Sequence, residues 1–295
     1  MTEDLNFLGK TVLITGSSRG IGFGYAKYLA SLGANLLING VSEDNVAAAV
    51  ETLQAQEQET VRGDIVGLAL PVTQGEELVE AALKHFPRID AVINNAGIVK
   101  DAQFKEMTLE QWDDIYRIQL EAAFRISRTI WPHFIDNGGG KILMTASSAG
   151  LHGNFGQANY SAMKAGIIGL AKTLSIEGKK HNIQVNTICP GAHTDMNDAL
   201  MNPAFKQWMT TDKVSPVAAW LCHETCSESG AIVAAAAGWT AKVRYEYSEM
   251  PMDPDKPFNI DAVRDLWPEL SEFKTKVSYP TKLSDIFKTI ASQFR

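Results

Sequence analysis

The apolar run at residues 10–15 breaks off into Gly16-Ser17-Ser18-Arg19-Gly20-Ile21-Gly22, and a helix-compatible segment continues to Leu32. No other feature of the chain limits its possible folds as strongly. A short continuous apolar run reads as a strand buried on both faces. Glycines at 16, 20 and 22 let the backbone turn sharply and come close to a ligand. A helix starting at such a turn offers unpaired N–H groups and the positive end of its dipole, a natural seat for a phosphate. Gly33 marks the end of that helix.

The same strand-then-helix unit recurs down the chain. Further strands are predicted over 35–39, 66–72, 90–94, 141–145, 184–188 and 232–235, and helices over 43–56, 76–85, 109–130 and 160–177. Alternation of this kind implies right-handed crossovers and a parallel sheet. The predicted fold is therefore α/β: a Rossmann-type doubly wound parallel sheet of about seven strands with helices on both faces. Such sheets bind ligands at the carboxyl ends of their strands. The loops at Gly16–Gly22, Asn95–Gly97, Ser147 and Pro190-Gly191 all follow strands and should meet there. Residues 1–240 form this domain in our reading. Residues 241–295 form a C-terminal extension packed on it, too short to hold a good core alone.

Composition removes other classes. A net charge of −7 leaves no basic footprint for nucleic acid. No apolar run approaches the length of a membrane span. Cys189, Cys222 and Cys226 are too few for a disulfide framework and suggest a reducing compartment. Cys222-His223 with Cys226 lacks a second ligand pair and falls on a predicted helix, so no metal is expected. Residues 1–4 are acidic, with no apolar signal region, and residues 292–295 do not form a Ser-Lys-Leu type of peroxisomal tripeptide. Lys172, Lys179, Lys180 and His181 complement a helix dipole, with docking of a coenzyme A phosphate as the alternative.

The chemistry concentrates between Ser147 and Lys164. Tyr160 and Lys164 stand one helical turn apart on one face. A cation beside a phenol favours the phenolate and makes the tyrosine a usable acid/base. Taken together, Thr15-Gly16-Ser17-Ser18-Arg19-Gly20-Ile21-Gly22, Asn94-Asn95-Ala96-Gly97, Ser147, Tyr160-Ser161-Ala162-Met163-Lys164 and Pro190-Gly191 resemble the short-chain dehydrogenase/reductase family over residues 8–240. The stretch His152-Gly153-Asn154-Phe155-Gly156-Gln157-Ala158-Asn159-Tyr160, with Ile176-Glu177-Gly178 and Gly238-Trp239, narrows the likeness. It resembles the (3R)-hydroxyacyl-CoA dehydrogenase region of peroxisomal multifunctional enzymes, the fungal ones especially.

That resemblance implies hydride transfer between NAD(P)(H) and a secondary hydroxyl/ketone, on a 3-hydroxyacyl or 3-ketoacyl thioester. Tyr160 would be the acid/base, Lys164 its pKa tuner and ribose ligand, and Ser147 the substrate anchor. Gly16, Ser18, Arg19, Gly20, Ile21 and Gly22 would hold the pyrophosphate. Asn95, Ala96 and Gly97 would flank the adenosine ribose, and Pro190, Gly191 and Thr194 the nicotinamide end. Three positions depart from the family pattern. Gln119 replaces the usual catalytic Asn; because the relay there uses a main-chain carbonyl, activity should survive. Asn39 replaces the Asp that accepts the ribose hydroxyls and, with Arg19 able to pair with a 2′-phosphate, favours NADP(H) over NAD(H). Pro71 leaves adenine contacts to Val72.

The family's dimer helices correspond to 112–130 and 160–174, so a homodimer or tetramer is expected. The family's substrate loop corresponds to 192–215, where Met196, Met201, Phe205, Trp208 and Met209 suit an apolar substrate. Tyr245, Tyr247, Met250 and Met252 either form a lid or simply pack. The expected location is cytoplasmic, or peroxisomal if the chain belongs to a larger multifunctional protein. The competing readings are a ketoreductase of a secondary-metabolite pathway and a non-redox cyclase, isomerase or nucleotide-binding regulator on the same scaffold.

Overall fold

A computed structural model of the chain describes residues 5–55, 63–196, 198, 202–249, 258–273, 277–281, 285–286 and 288–289. The opening strand β1, Thr11–Ile14, leads into α1, Gly20–Ser31. Then follow β2 Asn35–Gly40, α2 Glu43–Ala55, β3 Ile65–Ala69, α3 Gly75–His85 and β4 Ala91–Asn94. The second half runs α4 Leu109–Ile115, a π-helical turn Tyr116–Glu121, α5 Ala122–Asp136, β5 Gly140–Thr145, α6 Ser148–His152, α7 Ala158–Gly178 and β6 Ile183–Gly191. It closes with α8 Pro203–Lys206, α9 Ser215–Cys222, β7 Ile232–Ala236 and β8 Trp239–Val243.

These eight strands make one sheet in the order β3-β2-β1-β4-β5-β6-β7-β8. Every ladder from β3 to β7 is parallel, with Val12 opposite both Leu36 and Ala91 in the middle. Parallel strands covered on both faces need apolar residues at every position, and Val12, Leu13 and Ile14 are all wholly buried. Each such side chain contributes about 1.5–3 kcal/mol relative to exposure. On one face Tyr25, Ala26 and Leu29 of α1 share a core with Ala218, Ala219 and Leu221 of α9. The chain runs outward from β1 to β3 and then returns to the other side of β1 at β4. This reversal opens a crevice at the carboxyl ends of β1 and β4.

The sheet has one strand more than the seven expected. Ala237 and Gly238 both have positive φ, 51° and 84°, as a two-residue type I′ hairpin requires, and they fold β8 back beside β7. Two shorter elements also escape a periodicity reading. The long helix after β4 is interrupted by its π turn, and the loop after Ser147 is helical over Ser148–His152. The helix expected across the Cys222 motif stops at Cys222. His223 is extended, its Nδ1 faces Thr225 Oγ1 at 2.8 Å, and its Nε2 faces the Asn6 carbonyl at 3.1 Å. Among the described residues no three potential ligands gather to hold a metal, and no helix is long and apolar enough to cross a membrane.

The chain divides into two compact units, Met1–Lys242 and Val243–Arg295. The second contains an antiparallel pair, β9 Tyr247–Ser248 with β10 Val277–Ser278, and α10, Ile260–Glu272. Asn259 caps α10 by accepting from the Ala262 N–H at 3.0 Å. Met250 and Met252 lie outside the described residues.

Candidate active site

Ser147 leaves β5 in extended conformation, and its hydroxyl accepts the Ala149 N–H at 3.2 Å, starting α6. Gly150 then lets α6 lie directly on α7. A Cβ at 150 would sit 2.7 Å from the Lys164 carbonyl carbon and 2.8 Å from its Cβ. That close approach sets Ser147 beside Tyr160, near enough for its hydroxyl to act on the phenol. The wholly buried Asn159 fixes the start of α7. Its amide donates to the Lys100 and Gln111 carbonyls, at 3.1 and 3.2 Å, and its Oδ1 accepts the Tyr160 N–H at 2.7 Å.

Lys164 is buried one turn further on. Its Nζ donates to the Thr145 carbonyl at 2.8 Å and lies 5.5 Å from the centre of the Tyr160 ring. Burial lowers its pKa to about 8. Burial also raises the Tyr160 phenol above its ordinary value; the Ser147 hydroxyl opposes this, while Asp101 and Cys189 add to it. Lys164 is not among the groups that shift the phenol in the free chain. The ammonium is engaged at Thr145, and desolvation of the phenol dominates. Gln119 lies in the π turn, 2 % exposed, with Nε2 donating to the Ile98 carbonyl at 2.6 Å. Its Oε1 is buried without a partner among the described residues. A π turn in a helix is often found at a functional site.

The glycine turn has the form of a cradle. Gly16 and Gly20 both have φ of 61°, and no side chain caps the first turn of α1, which leaves its N–H groups facing outward. A Cβ at 16 would meet Ala96 Cα at 2.8 Å, and one at 22 would meet the Gly16 carbonyl oxygen at 2.4 Å. The turn is braced by Thr15. Its hydroxyl accepts the N–H groups of Asn95 and Ala96, at 2.9 and 3.0 Å, and Asn95 returns bonds to the Thr15 and Gly16 carbonyls. Gly97 faces the Gln119 side chain, and Thr194 comes to 3.6 Å from where a Gly20 Cβ would be. Pro190 and Gly191 belong to β6 itself, and Gly191 packs against Met209. A narrow, glycine-walled crevice with uncapped helix N–H groups fits a dinucleotide pyrophosphate. Ser18, Arg19 and Ile21 lie along it, and buried Val72 follows β3.

Asn39 does not face this crevice. It is 1 % exposed. Its Oδ1 accepts the Gly16 N–H at 3.2 Å, and its Nδ2 donates to the Leu68 and Leu70 carbonyls at 3.1 and 2.8 Å. Its neighbour Gly40 faces Ser18: a Cβ there would lie 2.7 Å from Ser18 Oγ. Strand alternation carries the signal that separates the two positions. Asn159, Gly150 and the Thr15 hydroxyl are further site residues that the motif reading did not single out for these roles. The basic cluster at Lys179–His181 ends α7 about 27 Å from Tyr160 at the helical rise, which leaves it to the helix dipole. In the loop after β6, Met196, Phe205 and Trp208 are exposed. Met201 lies outside the described residues.

A doubly wound sheet with a phosphate cradle at its switch point and a Ser–Tyr–Lys cluster beside it has the architecture of a nicotinamide-dependent oxidoreductase. Residues 10–203 match the short chain dehydrogenase family, and the chain belongs to that family. It is 39% identical over 280 residues to mouse peroxisomal multifunctional enzyme type 2, covering 92% of this chain and 38% of that protein. A 3-oxoacyl-[acyl-carrier-protein] reductase of Chlamydia trachomatis is 37% identical over 207 residues, covering 68% of this chain and 82% of the reductase. The structure of full-length peroxisomal multifunctional enzyme type 2 from Drosophila melanogaster superposes with a TM-score of 0.83 at 26% identity. That match covers 98% of this chain and 50% of the fly chain. The chain thus spans 38% of the mouse relative's length.

Proposed function

We propose that the protein interconverts a 3-hydroxyacyl and a 3-ketoacyl thioester with NADP(H), in the setting of its peroxisomal relatives. The observation that carries the chemistry is Lys164, buried and held on the Thr145 carbonyl with its Nζ 5.5 Å from the centre of the Tyr160 ring, with Ser147 beside that tyrosine. When bound, the nicotinamide gives or accepts the hydride. In reduction, Ser147 holds the substrate oxygen and Tyr160 donates its proton to that oxygen; in oxidation Tyr160 receives it back. Lys164 stabilises the phenolate left behind and, with pKa lowered to about 8, is able to pass a proton onward. Gln119 is a positioning residue: its bond to the Ile98 carbonyl holds the π turn against Gly97.

The cofactor preference rests on Gly40 and Arg19. No carboxylate projects from position 40 toward Ser18, and Arg19 at the mouth of the turn offers a fork for a 2′-phosphate. Two copies pair through α4–α5 and α7, where Trp112, Tyr116, Phe124 and Ile176 are exposed. A second reading, a biosynthetic ketoreductase, draws on the likeness to the acyl-carrier-protein reductase. Following the absorbance of reduced nicotinamide with a 3-ketoacyl-CoA and with polycyclic ketones separates the two. Turnover of the polycyclic ketones alone would overturn the thioester assignment. Tyr160→Phe should abolish turnover and keep cofactor binding; retained turnover would remove Tyr160 from its role.

A further inference from the structure

A second cavity lies at the opposite, amino-terminal ends of the strands. Its volume is about 390 Å³, within the range of small-ligand pockets. The entries to β1, β4, β5 and β6 and the exit of α9 enclose it. Phe7, Val12 and Ala91 lie behind its wall in the core, and Lys10, Arg88 and Lys141 supply positive charge.

Two of those cations are already matched. Lys10 pairs with Glu224 at 2.7 Å, and Arg88 with Asp90 at 2.8 Å. Asp90 also accepts the Thr11 N–H at 2.9 Å. Lys141 is different. It is 8 % exposed, its Nζ donates to the Cys226 carbonyl at 2.6 Å, and it has no carboxylate at ion-pair distance among the described residues. Burial lowers its pKa, and Glu224 opposes this only through space. The neighbouring Cys222 supplies no thiolate, because burial pushes that thiol up to about 12. A lysine this buried is normally paired. The lining therefore carries one positive charge beyond its carboxylates, in a chain whose net charge is −7.

We propose that this cavity binds a small monocarboxylate, with its carboxylate on the Lys141 ammonium. One surplus charge matches one carboxylate, and the ammonium retains donors not used by Cys226. The site lies at the far end of the sheet from Ser147, Tyr160 and Lys164, and uses none of them.

The test is a thermal-shift titration of the full chain with hexanoate, against sodium chloride at matched ionic strength. Wild type and Tyr160→Phe should both show a saturable rise in melting temperature that chloride does not reproduce. Lys141→Met should bind about tenfold or more weakly, the loss of one hydrogen bond to a charged group. An equal response in Lys141→Met, or a response lost in Tyr160→Phe, would overturn the proposal. Should Lys141→Met not fold, backbone amide shifts of the wild-type chain decide. Hexanoate should then move the signals of residues 138–141 and 222–227, and a pattern confined to the glycine turn and α7 would overturn it. A response to inorganic phosphate but not to hexanoate would also count against the assigned chemistry.

Discussion

Replacing Lys164 by Met should make the protein more stable at neutral pH while destroying its turnover. The lysine is wholly buried, and burial displaces its pKa from 10.5 to about 8. That displacement corresponds to about 3 kcal/mol against the charged form. The variant loses the charged bond to the Thr145 carbonyl, a cost of about 2 kcal/mol. Methionine keeps an unbranched, adaptable stem in the same channel. The net expectation at pH 7 is a gain of about 1 kcal/mol, a rise of roughly 0.4 M in the urea midpoint. The pH dependence has a defined sign. Burial makes the folded chain the weaker proton binder, so between about 8 and 10.5 the unfolded chain holds more protons. Wild type therefore gains stability as pH rises through that window, and the advantage of the variant shrinks. Urea titrations of both proteins across that range measure the difference directly. A variant less stable than wild type at pH 7, or an advantage that grows with pH, would refute the reasoning.

Gly40→Asp should shift preference toward NAD(H), read as the ratio of kcat/KM for the two cofactors. The new carboxylate would stand where a Cβ already lies 2.7 Å from Ser18 Oγ, and an unchanged ratio would return the selectivity to Arg19 alone. Gly22→Ala should weaken cofactor binding, measured by nucleotide fluorescence, and cost about 1–3 kcal/mol of stability, because its methyl would meet the Gly16 carbonyl oxygen at 2.4 Å. Tyr25→Phe should leave stability unchanged or raise it by about 1 kcal/mol, since the Tyr25 hydroxyl is buried without a partner among the described residues. A clear loss in chemical denaturation would reveal a bond that the hydroxyl makes.

Most of the fold was legible because a buried parallel strand leaves an unbroken apolar run, and because glycines punctuate the first crossover. The glycine turn, Asn95–Gly97 and Ser147 were legible for the same reason, each following such a run, whereas Tyr160 and Lys164 stood out by their spacing on one helix face. What escaped was geometry that depends on distant partners. The π turn at Tyr116–Glu121 keeps the apolar periodicity of its helix, so nothing local marks it. The short α6 depends on Gly150 meeting Lys164, a contact between separate segments. The downward pull of Lys164 on Tyr160 follows from spacing, but spacing does not report how deeply both groups are buried. Spacing also does not report that the Asn39 side chain is spent on bonds to Gly16, Leu68 and Leu70, while its neighbour points to the opposite side of the strand.

That one-residue offset has a consequence for how such a protein can change. Asn39 joins the glycine turn to β2 and to the end of β3, so almost any replacement there would loosen three segments together. Gly40, next to it, bears none of those bonds through a side chain. On the proposed cofactor reading, scaffold integrity and cofactor choice then fall to adjacent codons with opposite tolerance. A lineage could exchange one nicotinamide pool for the other by mutating position 40 alone, with the sheet beneath left intact.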